Sequence, residues 1–97
     1  MMVLVSYDVA TTTKAGRRRL RKVADACLDF GQRVQNSVFE CLVDPGQWVI
    51  LKNRVLQLYK SEEDSIRFYF MGSNWQRKVE HYGIKGVPDL EKDYLII

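Results

Sequence analysis

A small α+β domain, with two helices laid on one face of an antiparallel sheet, is the fold that this sequence predicts, and three observations predict it. Apolar residues alternate along several short segments, they recur at helical spacing along two others, and 97 residues leave room for one core. Hydrophobic residues make up 46% of the chain, which excludes a disordered polymer.

The elements follow in order. Residues 2–8 alternate as a strand does, with Val3, Val5 and Tyr7 on one face and Met2, Leu4, Ser6 and Asp8 on the other. Neither face is polar, so both are expected to be covered. Thr11, Thr12 and Thr13 offer N-cap hydroxyls, and Leu20, Val23, Ala24, Cys27 and Leu28 then recur at i, i+3, i+4, i+7 and i+8. The spacing predicts an amphipathic helix that ends near Gly31. Residues 33–43, RVQNSVFECLV, are rich in β-formers, with Phe39, Cys41 and Val43 on one face, Val38, Glu40 and Leu42 on the other, and a bulge expected near Asn36.

Asp44-Pro45-Gly46 reads as an N-cap followed by proline at the first helical position, and Trp48, Leu51, Val55, Leu58 and Tyr59 extend a second helix to about Lys60. The polar stretch Ser61 to Asp64 is a turn. Ile66, Phe68 and Phe70 then alternate with Arg67, Tyr69 and Met71 as a further strand, and a shorter strand around Lys78 to Tyr82 follows the Gly72-Ser73-Asn74 turn. Residues 33–43 are one bent strand or two short ones. Two give β-α-β-β-α-β, the ferredoxin-like pattern, which is the preferred reading. Such a fold leaves one sheet face bare, and a bare apolar face invites a second copy. The chain is therefore one domain, residues 1–97, with a core of about 1–83. Beyond Pro88 a charged linker leads to Tyr94-Leu95-Ile96-Ile97, too short to fold alone and expected to add to a sheet edge of the partner subunit.

No apolar run approaches the roughly 20 residues of a membrane span, and MMVLVSYD lacks the basic leader and cleavage site of a signal peptide, so the cytoplasm is expected. Cys27 and Cys41 sit among apolar neighbours and read as buried thiols rather than a disulfide or zinc site.

The net charge is only +3, but its distribution is uneven. Lys14, Arg17, Arg18, Arg19, Arg21 and Lys22 crowd the start of the first helix with no acid among them, at the end where the macrodipole disfavours cations. Arginine suits bidentate phosphate contacts, so a nucleic-acid backbone is the expected partner, recognised by shape and charge. Asp8 ends the first strand, where a carboxylate projects from a rigid element. Stacking the bare sheet faces about a two-fold brings two Asp8 side chains together, a hard-oxygen pair of the kind magnesium accepts. Glu40 is a distant second acid. Arg33 and Phe39 are ordinary strand residues by themselves, His81 has no partner at metal-ligand spacing, and Trp75 either stacks on a base or packs on its own domain.

Taken together, a first strand ending VSYDV, a basic helix and then RVQNSVFE resemble CRISPR-associated protein two, the small partner of the CRISPR integrase. The resemblance covers the whole chain. It implies a ferredoxin-like homodimer whose C-terminal strand joins the partner's sheet, with a role in spacer acquisition. It further implies that Asp8 holds magnesium or a similar cation such as manganese, and that Tyr7, Arg33 and Phe39 serve nuclease activity. Arg17, Arg18 and Arg19 all match the family's helix arginine. Two functions follow from it: a metal-dependent endonuclease acting on RNA or double-stranded DNA, and a non-catalytic scaffold that bridges integrase copies and holds DNA.

Overall fold

The computed structural model describes residues 1–72 and 78–84. Within them the chain runs β1 (Met2–Asp8), α1 (Lys14–Leu28), β2 (Gly31–Gln35), β3 (Val38–Leu42), α2 (Pro45–Leu58), β4 (Ser65–Met71) and β5 (Lys78–Gly83). Through β4 this is the β-α-β-β-α-β order. The sheet is antiparallel, ordered β2-β3-β1-β4-β5, so β1 lies in its middle and β5 adds a fifth strand beside β4.

Alternation along β1 explains the layering. Val3, Val5 and Tyr7 are buried, with Val5 opposite Phe39 on one side and Phe68 on the other. Val23, Ala24, Ala26 and Cys27 of α1 and Leu51 and Val55 of α2 close the core over that face. Trp48 of α2 adds edge-on contacts with Phe68 and Phe70, ring centres 4.9 and 5.1 Å apart, a favoured aromatic geometry. The opposite face carries the other half of the alternation. Met2, Leu42 and Met71 form one register row there, all three exposed, and Ser6, Val38 and Arg67 form another.

The helix starts agree with the sequence signals. The Thr13 hydroxyl accepts the Gly16 N–H at 3.0 Å, and Asp44 and Gln47 form a reciprocal capping box at 2.7 and 2.9 Å with Pro45 at the first position. The ends differ. Helix α1 stops at Leu28 rather than near Gly31, because Gly31 is needed in β2, where a Cβ would lie 1.8 Å from the Glu40 carbonyl oxygen. Leu28, expected on the buried face, is 47% exposed, on the side of α1 that faces the exposed edge strand β2. Residues 33–43 divide into two strands with an irregular register between Arg33 and Gln35, and β2 already begins at Gly31. Helix α2 ends at Leu58, because Tyr59 turns to extended backbone.

No helix among the described residues is long and apolar enough to cross a membrane. Trp75, Pro88 and the tail Tyr94 to Ile97 lie outside the described residues.

Candidate metal centre and nucleic-acid interface

Asp8 is the last residue of β1, in register with Ser65 of β4. Period-two alternation puts its side chain on the face away from the helices, with Ser6 and the Met2 row. It is exposed and has no hydrogen-bond or ion-pair partner among the described residues. Glu40 lies opposite Leu4, well down the strand from Asp8, and accepts instead from the Gln32 side-chain amide at 3.2 Å. No group of three or more His, Cys, Asp or Glu that could hold a metal ion occurs among the described residues.

Tyr7, the neighbour of Asp8, points the opposite way. It is 1% exposed and its hydroxyl donates to Oδ2 of Asp64, which is wholly buried. Arg19 grips the same carboxylate through two bonds, Nε to Oδ2 at 2.8 Å and Nη2 to Oδ1 at 3.1 Å, and the Lys60 backbone N–H donates to Oδ2 at 3.0 Å. Burial alone would favour the neutral acid, but the Arg19 and Tyr7 side chains and the Lys60 amide outweigh it and hold the Asp64 carboxyl below its ordinary range. Burial, followed by the bond to Asp64, pushes the Tyr7 hydroxyl well above the ordinary tyrosine value.

This network places two of the candidate residues: Tyr7, on the face opposite Asp8 as the alternation expects, is tied into the core, and the Arg19 guanidinium is paired with Asp64. Nothing in the sequence marks Asp64, which closes a polar turn. Its partners stand 57 and 45 positions away, and only the fold brings them together.

Lys14, Arg17, Arg18, Arg21 and Lys22 remain exposed on α1, so the cationic surface expected from the sequence survives without Arg19. Arg17 spans the approach to the helix, Nη1 donating to the Thr11 carbonyl at 3.0 Å. Phe39 is a core residue with no exposed surface. Arg33, opposite it in register on β2, holds its guanidinium 5.2 Å from the ring centre, a cation–π arrangement. Cys27 and Cys41 are free buried thiols, as the sequence suggested. His81 lies opposite Arg67 on β5, with burial and then the Arg67 charge lowering its proton affinity, and its Nε2 has no hydrogen-bond partner among the described residues.

Comparison with known proteins places these features in context. The family model described as CRISPR associated protein Cas2 matches residues 1–79. A CRISPR-associated endoribonuclease Cas2 from Chlorobaculum tepidum is 60% identical over 91 residues, covering 94% of this chain and 95% of the relative. A CRISPR-associated endonuclease Cas2 from Halalkalibacterium halodurans is 54% identical over the same shares of the two chains. Among solved structures, Streptococcus pyogenes Cas2 at pH 6.5 superposes with a TM-score of 0.73 at 61% identity, covering 77% of this chain and 90% of that one.

Proposed function

Because the chain belongs to the CRISPR-associated protein Cas2 family, we propose that it is a magnesium-dependent endonuclease of CRISPR adaptation, working as a homodimer on RNA or double-stranded DNA. The observation that carries this reading is Asp8. It is an exposed carboxylate, unpartnered among the described residues, at the end of the central strand, on the sheet face that also exposes the Met2, Leu42 and Met71 row. Stacking that sheet face on a second copy about a two-fold gives a self-complementary interface, and an axis that passes near the Asp8 end of β1 brings the two Asp8 side chains towards each other.

One Asp8 is too little for a protein-enclosed metal site, but magnesium keeps several waters and is commonly held by one or two carboxylates. A symmetric pair therefore fits it. The bound cation would neutralise phosphate charge and lower the pKa of a coordinated water. The chain's own residues would do the rest. Lys14, Arg17, Arg18, Arg21 and Lys22 hold the backbone, while Arg33, seated on Phe39, places a planar donor beside it. Tyr7 and Asp64 act from beneath, fixing the strand end that carries Asp8.

The scarcity of acids favours a second reading. With no three-residue ligand group among the described residues, the same dimer would serve as a DNA-holding scaffold that bridges copies of the CRISPR integrase in the cytoplasm. Cleavage of RNA and duplex DNA by rigorously purified protein, with and without magnesium and beside Asp8→Asn, tests the choice. Magnesium-dependent cleavage lost in the variant supports the nuclease. Full cleavage in the variant refutes it, and spacer acquisition supported by an inactive variant favours the scaffold.

A further inference from the structure

Between α1 and the β2 edge lies an open groove of about 340 Å³, and its two components have different chemistry. Its floor is apolar, built by Leu20, Ala24 and Leu28 at intervals of four along the helix. Its rim is cationic, built by Arg17, Arg21 and Arg33. We propose that this groove seats one unpaired base of a nucleic-acid strand whose backbone follows α1. The inference rests on the reading of the chain as a nucleic-acid-binding protein and names the part of the strand that the groove takes.

A duplex offers phosphates and hides the faces of its bases. Phosphate contact makes no use of an apolar floor. An unpaired base does, because its flat faces are apolar while the phosphate beside it remains anionic, which is the combination that floor and rim match. The Arg33 guanidinium already lies over the Phe39 ring, 5.2 Å from its centre, a contact that limits the freedom it has to lose when it meets a second planar group. The groove also has a polarity. Asp25 lies on its wall eight residues beyond Arg17, about 12 Å along the helix. A carboxylate repels phosphate but accepts from an amino group on a base edge, so the phosphate belongs at the Arg17 end and the base towards Asp25. Lys14, Arg18 and Lys22 are exposed on the same helix outside the groove lining and are left for sequence-independent backbone contact.

Fluorescence anisotropy with three oligonucleotides tests this: a blunt duplex, the same duplex with a short single-stranded end, and that end made abasic. DNA and RNA versions of the end report which sugar is taken. The expected result is about tenfold tighter binding of the single-stranded end, most of it lost when the base is absent. Leu28→Asp changes a floor residue that is 47% exposed, so the folded core should be kept. It should remove the gain while leaving blunt-duplex affinity within about twofold, whereas Arg33→Ala, which also removes a backbone donor, should weaken binding of both the blunt duplex and the single-stranded end. Duplex binding with no gain from the end, or equal affinity for the abasic end, overturns the base pocket and leaves the broader nucleic-acid reading standing. No binding to any of the oligonucleotides overturns both.

Discussion

A buried carboxylate is held only where its partners are, and Asp64 has them all: two nitrogens of Arg19, the Tyr7 hydroxyl and the Lys60 amide. Removing one side of such a group leaves the others buried and unmatched, which costs more than the interaction contributes. Asp64→Ala should therefore destabilise the fold by about 3 kcal/mol, read as a lower urea midpoint, whereas Tyr7→Phe should cost about 1–2 kcal/mol. The pH dependence has two limbs. The Asp64 carboxyl is depressed in the fold, so its contribution is complete above the unfolded value of about 4 and is lost as pH falls below it. The Tyr7 hydroxyl is raised, so its contribution is complete below about 10 and is lost as pH rises beyond it. Urea midpoints measured across pH should fall at both ends, and Tyr7→Phe should flatten the alkaline fall; an unchanged alkaline limb in that variant would assign it to another group. Tyr7 also explains how a core residue serves a surface site. It adjoins Asp8 on the strand, as Asp64 adjoins Ser65, so the same bonds fix the register in which Asp8 stands.

At the level of elements, what the sequence made legible was what short range decides. Thr13 and the Asp44-Pro45 pair announced the helix starts because a cap needs only residues a few positions away. Alternation along residues 2–8 and 66–71 announced the strands for the same reason. The readings that shifted depended on distant neighbours. Gly31 looked like a helix end but serves the close approach of β2 to β3, and Leu28 is exposed on the side of α1 that faces the edge strand β2. In the candidate site, Asp8 and the basic run were visible, while Arg19 could not be told from Arg17 and Arg18 without the fold. Gly16 tests how tightly the basic helix is placed. A Cβ there would fall 1.8 Å from the Ala10 carbonyl oxygen, so Gly16→Ala must displace the start of α1. The expected outcome is a fold destabilised by about 2 kcal/mol or more and weaker duplex binding measured under native conditions, since Lys14, Arg17 and Arg18 move with that turn. Asp44→Ala, by contrast, removes only the cap of α2 and should cost about 1 kcal/mol with binding intact.

For the whole molecule, the exposed row of Met2, Leu42 and Met71 is the face from which a second copy would complete the site. Leu42 is 67% exposed, so Leu42→Asp should leave the folded chain intact but introduce a pair of like charges into the proposed interface. Sedimentation should show a weakened dimer, and cleavage should fall with it. Asp8→Asn should do the reverse to assembly, because it removes two facing charges. The central claim is that two Asp8 carboxylates, one from each copy, act as one site. Its most direct test is a mixed dimer, isolated by two different affinity tags, that carries Asp8 in one subunit and Asn in the other. A shared site predicts magnesium-dependent cleavage below about a tenth of the wild-type rate with nucleic-acid binding unchanged; a mixed dimer that keeps half the activity contradicts it, since independent sites would lose only one of two.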